Sequence, residues 1–290
     1  MKTVLILGVT GQTGCEVANQ LAENPDIVIR GAALEVETQN LPDGLIPLEF
    51  SWENRATWQS VIDTKPDGVY LVRPEIEFAP ALMSEFLAQL SGSPHVVLLS
   101  GRDADMVPSS FWTARVEAAV TNSVVRWTIV RPDPFMQVFT DRRYFGKTIR
   151  TDDVIMANFG DGAIAFVDVR DIAEVVVRAL VDDGHESRVY SLTGPSASSL
   201  GDVANELTRL LGRKIRYIDT PVEEARESFR ELPEWRRERA FYGMDRTRSG
   251  GHSTISVAIE AVTGHPPRSL EDFLTEHRPQ WTRSTPASST

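Results

Sequence analysis

The residues with the most chemistry in their spacing lie near the amino terminus: Gly8-Val9-Thr10-Gly11-Gln12-Thr13-Gly14. Glycines recurring every third position, behind an apolar run and ahead of a helical pattern, suit a phosphate cradle. Binding a diphosphate this way takes backbone N–H groups, a helix N-terminus, and no side chain where the phosphates approach. Gly8 permits the tight turn off a strand. Gly11 lets the phosphates come close, and Gly14 lets the helix pack on the sheet. Thr10 stands where a GxGxxG pattern has its second glycine, and Gln12 and Thr13 complete the loop. A glycine pattern gains meaning only in the context of strand, turn and helix. Here that context is present and points to a dinucleotide. The alternative is a structural turn that holds no ligand.

Coenzyme choice in such a site is set at the end of the second strand. An acidic residue there accepts hydrogen bonds from the adenosine ribose, whereas an arginine pairs with the 2′-phosphate of NADP. The run Val28-Ile29-Arg30-Gly31-Ala32-Ala33 ends in Leu34-Glu35, and Glu35 lies 21 positions after Gly14. This leans toward NAD, with NADP left open. The other reading of Glu35 is a solvated loop carboxylate.

The elements that must position these residues alternate. Apolar runs at Thr3–Leu7, Ile27–Ile29, Leu45–Phe50, Gly68–Val72, Val96–Leu99 and Trp127–Val130 read as strands. Helical segments separate them, among them Ala81–Leu90 and Ser109–Val120. This rhythm predicts an α/β fold with a doubly wound parallel sheet. After Pro132 it breaks. Residues 152–166 read as two short strands around Gly160-Asp161-Gly162, Arg188–Leu192 as another strand, and Thr220–His277 as charged helices.

Ligands in such a sheet bind outside the carboxyl ends of the strands. The residues there are Arg73, Ser100, Gly101, Arg102, Asp103, Arg131, Pro132, Asp133, Pro134 and Phe135. Asp133 could hold a cationic substrate or donate a proton; it could equally cap a helix beginning near Pro134. Arg73 could meet the pyrophosphate or a substrate carboxylate, or form a surface ion pair. Trp112, Phe135 and Met136 could wall a substrate pocket, although aromatic residues at helical spacing are often core.

Composition narrows the class. The 290 residues carry a net charge of −11, which disfavours nucleic acid as a partner. Cys15 is the only cysteine, so no disulfide forms within the chain. The histidines never fall at metal-ligand spacing, so no metal is expected. The opening apolar run is too short for a signal peptide, and no stretch reaches the roughly 18 apolar residues of a membrane span. A cytoplasmic protein acting on a small molecule, as monomer or homodimer and away from membranes, is the expectation.

The sequence resembles the NmrA-like group of atypical short-chain dehydrogenases/reductases, and within it the ergot-alkaloid reductase branch of festuclavine and agroclavine dehydrogenase-like proteins. The resemblance rests on VLILGVTGQTG from Val4, Tyr70-Leu71-Val72 with Pro74, and Trp127–Pro132 followed by Phe135-Met136. It continues through Gly160-Asp161-Gly162, Phe166–Ala173, Leu200–Lys214, Ala261–Gly264 and Pro266–Phe273. It implies a Rossmann domain over 1–150 plus 168–182, binding NAD or NADP. A smaller, mostly helical C-terminal substrate lobe would comprise 151–167 plus 183–278, with a disordered tail over 279–290. The implied activity is NAD(P)-linked reduction of a small imine, quinone or related conjugated metabolite, as a step of secondary metabolism.

The chain departs from the wider superfamily at its chemistry. Typical members use a serine and then Tyr-x-x-x-Lys, in which the phenol donates a proton. Here Ser100 ends the fifth strand, and Phe111 and Arg115 stand where the tyrosine and lysine belong. Ser100 and Asp133 remain as catalytic candidates. Gly8, Thr10, Gly11, Gln12, Thr13, Gly14, Glu35, Arg73, Ser100, Arg131 and Pro132 are the candidate cofactor residues; Asp103, Trp112, Phe135 and Met136 are those for substrate. Two other readings stay open: a dinucleotide-sensing regulator that catalyses nothing, and a non-redox cyclase or isomerase on the same scaffold.

Overall fold

Val4, Leu5, Ile6 and Leu7 are wholly buried, because a strand flanked by strands on both edges and helices on both faces exposes nothing to water. The computed structural model that places them describes residues 1–35, 41–102, 104 and 106–283. Asp103 lies outside the described residues.

In chain order the first elements are β1 (Lys2–Leu7), α1 (Gln12–Leu21), β2 (Ile27–Ala33), β3 (Ile46–Glu49), α2 (Trp58–Ile62), β4 (Gly68–Val72), α3 (Ala79–Leu87) and β5 (His95–Leu99). Next come α4 (Trp112–Thr121), β6 (Arg126–Pro132), α5 (Phe145–Thr151), β7 (Val154–Ala157), α6 (Val169–Val181) and β8 (Arg188–Leu192). The chain continues through α7 (Leu200–Leu211), β9 (Arg216–Asp219), α8 (Val222–Ser228), α9 (Glu234–Arg248), α10 (Ala258–Thr263), α11 (Leu270–Glu276) and α12 (Arg278–Trp281).

Two compact units result. Unit one holds Met1–Pro132, Val169–Leu192 and Val257–Pro266. Its seven-stranded sheet runs β3-β2-β1-β4-β5-β6-β8, parallel throughout. The order reverses between β1 and β4, which is the switch point where open α/β sheets take ligands. Helix α1 packs beside α6, and α3 beside α4.

Unit two holds Asp133–Asp168, Thr193–Ser256 and Pro267–Thr290. It pairs β7 with β9 in parallel and gathers its helices on a core that includes Met136, Phe139, Phe166, Leu207, Phe273 and Trp281. Helix α7 starts with a reciprocal capping box between Ser199 and Asp202 and ends at left-handed Gly212.

Several boundaries differ from those read in the sequence. The division falls at Pro132 rather than 150, because Met136, Phe139 and Ile149 bury their side chains in the core of unit two. Strand β8, assigned from sequence to the lobe, instead extends the large sheet, with Thr128 opposite Arg188 and Pro132 opposite Leu192. The segment Val257–Pro266 joins unit one through α10, which packs on α6 and β8. The second strand expected before Phe166 is reduced to a single bridge between Ile164 and Ser198. The expected tail over 279–290 is corrected for 279–283; the rest of it, 284–290, lies outside the described residues. Trp281 is fully buried, and its indole N–H donates to the Phe139 carbonyl at 2.8 Å. A polar composition around one large ring concealed that anchor. Among the described residues, no helix is long and apolar enough to cross a membrane.

Candidate functional site

The glycine turn in unit one is shaped by its backbone. Gly8 has φ +90°, a left-handed conformation that side chains resist. A Cβ on Gly14 would lie 2.2 Å from the Gly8 carbonyl oxygen, so only glycine allows α1 to start this close to β1. Gly11 differs: a Cβ there would meet only the Gly8 oxygen, at 3.3 Å. Thr10, Gly11 and Gln12 are exposed, whereas Thr13 and Gly14 are buried beneath them. Gly11 caps α1 without a side chain, and the first turn carries no acidic residue. A helix start of this kind presents backbone N–H groups and a positive dipole end. These residues fit a dinucleotide pyrophosphate. Below the turn, burial raises the pKa of the Tyr70 phenol, opposed by the Thr13 hydroxyl. Glu35 is exposed two residues past the end of β2.

The neighbouring strand ends carry two polar clusters. Arg73 follows β4, reaches Glu75 at 3.3 Å, and lies 5.8 Å from the centre of the Trp112 ring. Trp112 is buried, and its indole donates to the Ile76 carbonyl at 3.0 Å, so the ring is a packed wall and not a loose lining. A Cβ on Gly101 would come within 3.3 Å of the Arg73 guanidinium, so Gly101 leaves it room.

Ser100, Glu117 and Arg131 form the second cluster. Ser100 Oγ donates to Glu117 Oε1 at 2.6 Å, and the Arg131 fork donates to both Glu117 oxygens at 2.9 and 2.6 Å. All three residues are buried. Two consequences follow for the sequence-derived assignments. Ser100 has committed its one hydroxyl proton, so it can only accept a hydrogen bond from a ligand. Arg131 faces a compensating carboxylate, so its charge is not held in reserve for phosphate. The sequence reading missed Glu117. It lies on the buried stripe of α4 with Trp112, Thr113, Val116 and Val120, and a carboxylate on such a stripe demands a partner. Pro132 ends β6. Phe111 caps α4, and Arg115 is exposed one turn later.

Unit two holds a second buried carboxylate. Asp133 directly follows β6 in the chain and is 1% exposed. Its Oδ1 lies 2.7 Å from Nδ1 of His252, 119 residues away and itself buried. The backbone after α9 places His252. Gly250 takes φ +78°, its N–H reaches the Thr247 carbonyl, and that of Gly251 reaches Arg246. These are the two bonds of a Schellman ending. The readable signal for His252 was a Gly-Gly pair closing a charged helix just before a histidine. Of the proposed pocket residues, Met136 is fully buried in the core. Phe135 is half-buried and bridges Val167 through its backbone.

No family model matches the chain. The chain is 31% identical to a (4-alkanoyl-5-oxo-2,5-dihydrofuran-3-yl)methyl phosphate reductase of Streptomyces griseus, over 94% of this chain and 97% of that protein. It is 28% identical to the agroclavine dehydrogenase of Claviceps fusiformis, over 96% and 98% of the two chains. Among solved structures, an NADPH-dependent quinone oxidoreductase of Escherichia coli, complexed with NADPH, superposes with a TM-score of 0.79 at 20% identity. That alignment covers 94% of this chain and 99% of the other.

Proposed function

The chain belongs to the NmrA-like atypical short-chain dehydrogenase/reductase family, and on that premise we propose that it is an NAD(P)-dependent oxidoreductase reducing a small imine, quinone or related conjugated metabolite. The observation that carries the reading is the glycine turn. Gly14 must be glycine for the helix to start where it does, whereas Gly11 is bare with space outside it. Packing explains the first. Close approach of a ligand explains the second.

Gly8–Gly14 would hold the pyrophosphate through backbone amides, and Glu35 would accept from the adenosine ribose. The bound nicotinamide would supply hydride. What the chain supplies is position. Ser100 offers lone pairs to a ligand donor, Trp112 keeps the Arg73 side chain in place, and neither residue provides a proton. With Phe111 in place of the usual phenol, the reaction runs without a tyrosine–lysine dyad. Glu35 supports NAD over NADP, since a carboxylate there would repel a 2′-phosphate. The net charge of −11 fits a small-molecule partner better than nucleic acid.

Fluorescence titration with NADH and NADPH tests this directly. The wild type should bind at sub-millimolar concentration, with NADH the tighter, and Glu35→Arg should reverse the order. Gly11→Ala should keep its far-ultraviolet circular dichroism and lose about tenfold or more in affinity, about 1.4 kcal/mol. Gly14→Ala should lose the fold of the turn along with binding. Failure of the wild type to bind either coenzyme overturns the redox reading.

A further inference from the structure

Ser100, Glu117 and Arg131 all belong to unit one, which also carries the glycine turn. The Ser100 hydroxyl donates to Glu117 Oε1 at 2.6 Å, while the Arg131 fork grips both oxygens of that carboxylate. The serine hydroxyl is not needed to hold the strand end. The Ser100 N–H already bonds the Val130 carbonyl at 2.9 Å, and Leu99 pairs with Val130 in the sheet. Alanine would fill the same place. What the hydroxyl gains from Glu117 is a direction. It has one proton and two lone pairs. With the proton on Glu117, Ser100 turns lone pairs to any further group, and donation to the carboxylate makes its oxygen a stronger acceptor. Such a serine cannot polarise the carbonyl of a substrate; it can only take a hydrogen bond from a ligand that has one to give.

The strand order says which ligand group that is. Ser100 directly follows β5 and the glycine turn follows β1, with β4 between the two strands. Neighbouring strands lie about 4.8 Å apart, so β1 and β5 are separated by about 10 Å. Ligands collect beyond these strand ends. In a nicotinamide dinucleotide, the sugar and carboxamide of the nicotinamide half come next after the diphosphate. Both carry donors, as O–H on the ribose and N–H on the carboxamide.

We propose that Ser100 accepts a hydrogen bond from the nicotinamide half of the coenzyme, and that Glu117 is the positioning residue that keeps the serine an acceptor. The proposal rests on the dinucleotide reading above and assigns the serine to the coenzyme, not to the substrate. Arg131 holds the carboxylate in place, Glu117 holds the serine proton, and the serine oxygen meets the ribose hydroxyl or the carboxamide N–H.

The test measures binding of three probes by titration calorimetry: NADH or NADPH, whichever the wild type binds more tightly; ADP-ribose, which lacks nicotinamide; and ADP, which lacks the second sugar as well. Ser100→Ala should weaken the coenzyme about tenfold and leave ADP within about twofold of wild type. A matching loss for ADP-ribose assigns the donor to the ribose, and an unchanged ADP-ribose assigns it to the carboxamide; either result supports the proposal. Ser100→Thr keeps the hydroxyl and should retain most of the coenzyme affinity. Glu117→Gln replaces a carboxylate oxygen by an N–H2 group and should show the same coenzyme-selective loss. Adding Ser100→Ala to Glu117→Gln should not lower the ratio of coenzyme to ADP affinity further, because Glu117 acts through the serine. If Glu117→Gln does not fold, the two serine variants decide the matter. Unchanged coenzyme affinity in Ser100→Ala, an equal loss for ADP and coenzyme, or losses that multiply in the double variant overturns the proposal alone. A wild type that binds neither coenzyme overturns the dinucleotide reading as well.

Discussion

Glu117 in unit one and Asp133 in unit two are both buried carboxylates, and their partners differ in kind. Glu117 meets a guanidinium fork and a serine hydroxyl, so every close partner donates and the arginine never gives up its proton. Asp133 meets an imidazole nitrogen, of His252, at 2.7 Å. The first arrangement is rigid and closed. It fixes β6 against α4 and removes Ser100 from proton transfer. The second joins positions 119 residues apart through an imidazole nitrogen. Burial alone therefore does not mark a carboxylate as functional.

The contrast is most severely tested by removing one charge of the fork. Glu117→Ala takes from the buried Arg131 the carboxylate that its fork grips, and should cost about 3–5 kcal/mol in urea unfolding. Glu117→Leu combined with Arg131→Met removes both charges and should recover most of that loss. Equal destabilisation by the single and double variants would show that the fork is not the ion pair described. Asp133→Asn and His252→Asn should each cost only about 1 kcal/mol, since each keeps a hydrogen bond between the two positions. A loss matching that of Glu117→Ala would show that the second pair supports the fold as much as the fork does.

Two histidines of unit one sharpen the comparison through pH. His95 lies 2.8 Å from the Thr128 hydroxyl, and burial lowers its pKa. The folded form then binds fewer protons than the unfolded chain. Its contribution is complete above the unfolded value of about 6.5 and shrinks as pH falls below it. The exposed imidazole–carboxylate pair runs the other way. His265 lies 2.9 Å from Glu174, and the Pro266 carbonyl and that carboxylate raise its pKa. Its contribution is complete below about pH 6.5 and is lost as pH rises through the raised value. Solvent screening limits it to about a few tenths of a kcal/mol. Thermal melts of His95→Asn and His265→Asn against wild type across pH 5–8 should show these opposite trends, the second the weaker.

Much of unit one was legible because its signals are local. A run such as Thr3–Leu7 reads as a buried strand, and the glycine turn needs only neighbouring atoms to explain it. Asp133 could be singled out by its place after a strand, yet its role could not. As a helix cap, a cation holder or an acid it would look the same until His252 came into view. Strand β8 went to the wrong unit for the same reason, since a short run such as RVYSL says nothing about which edge it joins. Trp281 was lost in a polar tail that the core of unit two draws in.

By itself the sequence determined where the backbone must turn, which runs must be buried, and that no phenol stands where typical members of the wider superfamily keep one. These are properties of single residues and near neighbours, set by sterics and by the loss of water from apolar surface. Only the tertiary structure decided which polar groups meet: Ser100 and Arg131 on Glu117, and Asp133 on His252. A buried charge must find a partner, but the chain can bring that partner from any distance, and the pairing exists only once the fold has closed around it.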